Sequence, residues 1–140
     1  MRRVRVSAVQ VVMSALVAIS ATSCSGGEVI SAGEAMVLVS EDRGGAGMAS
    51  AGGGRLELLG GCLGADGAVV VWPHGTEVAD EDPLSIRIPD NGIFDLGDQV
   101  EFGGGFVLEH SSDEVEPGPY EVAGVTVPAE CAKYDVFLAY

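Results

Sequence analysis

Residues 68–72 read Ala-Val-Val-Val-Trp and are stopped at once by Pro73, with Gly75 close behind. Five apolar residues, three of them β-branched, between turn formers are too few for a helix and fit a strand. With no polar residue in alternation, that strand is expected to be buried on both faces or to form the wall of a barrel.

Working outward, the flanking chain has the same texture. Arg55 to Leu59 reads as a strand ended by Gly60-Gly61, and Leu84, Ile86 and Ile88 alternate with Ser85 and Arg87. Pro89-Asp90-Asn91-Gly92 carries the Asn-Gly pair that marks a tight hairpin turn. Ile93 to Leu96 and Asp98 to Phe102 follow, divided by Gly97, and Gly103-Gly104-Gly105 suggests a bulge or a sharp corner. Phe106 to Glu109 leads into acidic residues 113–116, which read as a solvated loop, and then into Pro117-Gly118-Pro119. Val125 to Val127 and Tyr134 to Leu138 read as the last strands. No stretch after Cys24 sustains a 3.6-residue apolar period. The expected fold is therefore all-β, with six or seven short strands in a small closed or nearly closed barrel, OB-like in kind. A closed barrel removes the sheet edges that otherwise need protection. A small β-sandwich is the alternative.

The N-terminal part has a different character. Arg2, Arg3 and Arg5 precede an apolar stretch from Val6 to Ile19, and small residues then lead to Cys24. That is the layout of a secretory signal peptide, and the stretch is shorter than the roughly 20 residues of a membrane span. Ala21-Thr22-Ser23-Cys24, followed by Ser25-Gly26-Gly27, resembles the lipobox of bacterial lipoprotein precursors. The resemblance implies cleavage before Cys24 and lipid on its thiol, although Ala21 stands where that motif most often has leucine. Ala21 and Ser23 also satisfy the small-x-small pattern of plain secretion, which would leave Cys24 an exposed odd thiol. More than one acyl chain exceeds the threshold for lasting attachment.

The expected organisation is a signal peptide over 1–23, a lipid-anchored segment and linker over 24–54, and a compact β-domain over 55–140. Within the linker, Ala35 to Ser40 is apolar enough for a strand. Gly44 to Gly54 holds six glycines in eleven residues, a composition that loses much entropy on ordering.

Two cysteines remain once Cys24 is lipidated, Cys62 and Cys131. Outside the cytoplasm two such residues in one small domain usually pair. The bridge would close a loop of about 70 residues and add about 4 kcal/mol in the chain-entropy picture. Two reduced core thiols are the alternative. No C-x-x-C exists, and His74 and His110 are far apart in sequence, so zinc has little support.

The string Gly61 to Thr76, with Val100 to Phe106, resembles a small cysteine-containing β-domain of secreted actinobacterial lipoproteins. The shared residues are Cys62-Leu63, Val71-Trp72-Pro73, Gly75-Thr76 and the glycines 103–105. The resemblance implies a fold and no chemistry.

The whole chain carries a formal charge of −14, but the three arginines before Cys24 conceal a larger imbalance. Without residues 1–23, only Arg43, Arg55, Arg87 and Lys133 stand against 21 acids, a net of −17. Such a surface repels nucleic acid and anionic lipid, so no nucleic-acid partner is expected. Trp72 is either a core residue or an exposed stacking platform for a ligand, and His74, in the turn beside it, is either a solvent-facing turn residue or a second ligand-binding candidate. No serine lies in G-x-S-x-G and no triad has a local signature, so no catalytic residue is expected; a secreted hydrolase without a recognisable motif is the alternative. Asp80-Glu81-Asp82, and Asp90, Asn91, Asp95 and Asp98, are oxygen-rich enough to suggest calcium, but neither has EF-hand spacing and both suit turns. No other cofactor is expected. The expectation is a non-catalytic extracytoplasmic lipoprotein, membrane-bound through Cys24, that binds a ligand or envelope component. The alternative is an accessory protein presenting its acidic surface to a basic partner.

Overall fold

The computed structural model describes residues 26–43, 50–110 and 118–140, so Cys24, the lipobox and residues 113–116 lie outside it. The described residues form twelve strands and no helix. The all-β expectation holds, with more strands than six or seven. They are β1 (Glu28–Ala32), β2 (Ala35–Val39), β3 (Ser50–Leu59), β4 (Cys62–Ala65), β5 (Ala68–Trp72) and β6 (Glu77–Glu81). β7 (Leu84–Ile88), β8 (Gly92–Asp95), β9 (Gln99–Leu108), β10 (Tyr120–Val122), β11 (Val125–Val127) and β12 (Asp135–Ala139) complete the set.

Turn chemistry explains the close spacing. Gly60-Gly61 joins β3 to β4, Asp66-Gly67 joins β4 to β5, and Ala123-Gly124 joins β10 to β11. All six residues have positive φ, the conformation whose twist matches the flanking strands in two-residue hairpins. The hairpin expected at residues 89–92 also forms, but around Pro89-Asp90: Asn91 donates its N–H to Ile88 O (3.1 Å), Asp90 has φ +63°, and Gly92 already pairs with Ile88 in β8.

Seven strands make one mixed sheet in the order β1-β2-β4-β3-β9-β12-β5, and β2 also pairs with β5. The pairings therefore return on themselves as a ring of six strands, the nearest feature to the expected barrel. The ring is unevenly sewn. β2 meets β4 through one residue pair, Met36 and Cys62, and meets β5 through two.

β5 occupies the place its composition demands. Ala68, Val70 and Trp72 join one core cluster, with Val37, Val39, Leu63, Phe102 and Phe137. Val69 and Val71 join a second, with Val125, Val127, Val136 and Leu138. All five residues are buried. Leu84, Ile86 and Ile88 of β7 close over part of the first cluster, while Arg87 stays exposed. The β10–β11 hairpin and the turn around Cys131 cover the second. There Cys62 and Cys131 form a disulfide with Cα atoms 5.9 Å apart.

Two expectations need correction. β1, β2 and residues 50–54 of β3 belong to the sheet, so the compact unit takes in chain assigned above to the linker. Gly27 is tied in as well, donating its N–H to Gly124 O (3.0 Å). The reason lies in close approach. A Cβ on Gly52 would come within 2.7 Å of the Phe102 and Phe137 rings, and one on Gly53 would strike the Val100 carbonyl. These glycines make room for neighbours.

Likewise β9 runs unbroken through Gly103-Gly104-Gly105. It pairs with β3 over Gln99–Gly104 and with β12 over Gly104–Leu108, changing partner at the glycines. The bulge falls just beyond them, where Leu108 pairs with Val136 and Phe106 with Phe137, leaving Val107 as the extra residue.

Candidate functional site: an open cleft beside the free half of β3

Trp72 is wholly buried, so it is no platform for a ligand. Its indole N–H reaches Leu63 O at 3.3 Å, and its ring meets Phe102 edge-on, with centroids 5.5 Å apart. The inward position follows from alternation along β5, which sends Ala68, Val70 and Trp72 to one side.

His74, two residues on, is half-buried and not the freely solvated turn residue its neighbours suggest. Its Nδ1 lies 3.1 Å from Ser40 O, and a carbonyl only accepts, so Nδ1 carries the proton. With Ser40, Thr76, Glu28 and Glu77 it lines a hollow of about 420 Å³. The hydroxyls there are already engaged: Thr76 donates to Pro73 O at 2.7 Å, and Ser40 accepts from the Asp42 N–H at 3.0 Å. His110 is held by Asp135, which accepts from its Nδ1 side (3.1 Å) and its backbone N–H (2.8 Å). Among the described residues no hydroxyl is bonded to either histidine.

The acidic clusters serve turns. Asp98 accepts from the Asp95 N–H at 2.8 Å, and Asp80 accepts from the Asp82 N–H at 3.1 Å. Among the described residues no three His, Cys, Asp or Glu side chains gather as a metal site would require.

A larger concavity than the His74 hollow lies elsewhere, where the ring opens. β3 pairs with β4 only from Leu56 onward, but with β9 from Ser50 to Arg55. Residues 50–55 therefore have a strand on one side and, among the described residues, none on the other. The open side borders a cleft of about 1120 Å³. It is narrow where Gly54 meets Asp66; a Cβ there would stand 2.6 Å from the Asp66 Cβ. The floor is part of the first core cluster: Ala65, Ala68, Val70, Phe102 and Phe137.

Two small residues, Ala65 and Ala68, line the cleft beside Val70. Aromatic rings then run from the core to its mouth. Phe102 tilts against Phe137 at 5.3 Å, and Phe137 meets Phe106 edge-on at 5.2 Å. Phe106 is 47% exposed. Alternation along β9 puts it on the same face as Val100 and Phe102. Arg55, Asp66 and Glu101 supply charge at the edges, and Arg55 reaches Gly97 O at 3.4 Å. The arrangement offers an exposed ring, Phe106, beside backbone that has no strand partner on one side among the described residues.

Sequence reasoning missed this cleft. Ser50 to Gly54 contains no Pro, Asn or Asp and runs directly into the strand Arg55–Leu59, which was the available signal that the strand begins earlier.

Comparison with protein-family models, with curated proteins and with solved structures returns no match.

Proposed function

We propose that this chain is an extracytoplasmic lipoprotein, held on a membrane by lipid on Cys24, whose β-domain is a non-catalytic binding module with its ligand in the β3 cleft. The observation that carries the binding reading is the cleft itself, an opening of about 1120 Å³ into the aromatic part of the core. At its mouth Phe106 stays 47% exposed, although burying that ring would stabilise the fold. The Cys62–Cys131 disulfide accords with an oxidising compartment outside the cytoplasm. The lipobox resemblance supplies the anchor.

Two experiments test the two halves. Cys24→Ala should move the protein from the membrane fraction to the soluble fraction; retention on the membrane would overturn the anchor. A photo-crosslinking amino acid at Ala51, on the cleft wall, should yield an adduct in living cells. The same amino acid at Ile93, exposed on β8, should not. Equal labelling from both positions, or none from Ala51, would overturn the cleft as the binding site.

A further inference from the structure

We propose that the cleft takes an extended, basic polypeptide segment, which adds to the free edge of β3 as a further strand and lays an apolar side chain against the exposed Phe106. This rests on the reading of the cleft as the binding site and names its ligand class.

The first argument is backbone chemistry. Along a strand, alternate residues point N–H and C=O to opposite sides. Over Ser50–Arg55 one side is taken by β9, and the other faces the cleft with no strand among the described residues. A peptide that satisfies those groups gains hydrogen bonds independent of its sequence, as in strand addition generally.

The second is how this edge differs from the others. Sheet edges are normally guarded by charge, proline or shortness. β6 carries Glu77, Asp80 and Glu81, β1 opens with Glu28, and β8 is four residues long. Ser50 to Gly54 has no charge, no proline and no side chain larger than a hydroxymethyl group.

The third is the bed. A strand lying along this edge turns every second side chain toward one face. On that face Phe106 is exposed and stands edge-on to Phe137, which is buried with Phe102 against Gly52.

Charge decides the partner. Asp66 and Glu101 outnumber Arg55 at the cleft, and the chain after residue 23 carries −17. That field attracts a basic segment and opposes the edge-to-edge pairing of two copies of this chain.

The probe is a fluorescent peptide of alternating lysine and valine, followed by anisotropy with the purified full chain. Saturable binding is expected, weakened about tenfold or more when alternate peptide nitrogens are methylated, because methylation removes the strand's donors. Replacing lysine by glutamate should weaken it by at least as much, and Phe106→Ala, at a half-exposed position, by about fivefold. Hydrogen exchange should show new protection at residues 50–54 and none at β8. Equal affinity for the methylated peptide, protection elsewhere, or a dimer in light scattering would each overturn the proposal. An adduct at Ala51 that is not polypeptide, with no binding of the lysine–valine probe, would overturn it while leaving the cleft as the binding site.

Discussion

Trp72 and Leu63 are joined inside the ring by a single hydrogen bond, indole N–H to backbone carbonyl at 3.3 Å, with both residues almost wholly excluded from solvent. Since Trp72 is the only tryptophan, the bond has a fluorescent reporter built into it. Emission should be blue-shifted and poorly quenched by acrylamide. Trp72→Phe keeps most of the apolar contact but orphans the Leu63 carbonyl, and should lower stability by about 1–3 kcal/mol in denaturant titration. A neutral result would show that another donor reaches that carbonyl.

The disulfide should matter more. Cys62 and Cys131 are 69 residues apart, and replacing both by alanine should cost about 4 kcal/mol, most of it by releasing the unfolded chain. Chemical unfolding with and without reductant measures this. A loss below about 1 kcal/mol would mean that the second core holds its cover without the bond.

Neighbouring glycines in β9 should behave oppositely. A Cβ on Gly104 would strike the Leu138 carbonyl, and φ there is +148°, so Gly104→Ala should cost about 3 kcal/mol or more. Gly103 has open space around its missing Cβ, so Gly103→Ala should stay within about 0.5 kcal/mol of the parent. Thermal melts of the two variants would test whether the partner change of β9 depends on that one position.

Calcium should leave the melting temperature unchanged. Asp98 and Asp80 already accept backbone N–H groups within their turns, and the described residues hold no metal cluster. A hundredfold excess over the dissociation constant would add about 2.7 kcal/mol if a specific site existed. A clear upward shift at millimolar calcium would therefore overturn the turn-only role of these aspartates.

Much of the fold was legible because certain residues admit few alternatives. An unbroken Ala-Val-Val-Val-Trp between turns can only be a strand with two buried faces, and Pro89-Asp90-Asn91-Gly92 can hardly avoid a hairpin. β6 was illegible for the opposite reason: Glu-Val-Ala-Asp-Glu has little strand propensity and pairs because β7 offers it an edge. Glycine misled twice, at 50–54 and at 103–105. Its entropy cost can be read from composition, but its usefulness beneath a phenylalanine ring depends on what the fold brings there. The cleft was hidden for the same reason. Its walls are Ser, Ala and Gly, which carry no chemical signature, and its aromatic floor is assembled from β9 and β12.

If Cys24 carries lipid as proposed, the hydrogen bond from Gly27 to Gly124 would set a mooring length. With lipid on Cys24, three peptide steps, about 10 Å fully extended, separate the acylated residue from the first one fixed to the folded body. The domain would ride at the height of the headgroups with little freedom to swing, so whatever it captures would have to arrive at the bilayer surface and be held there.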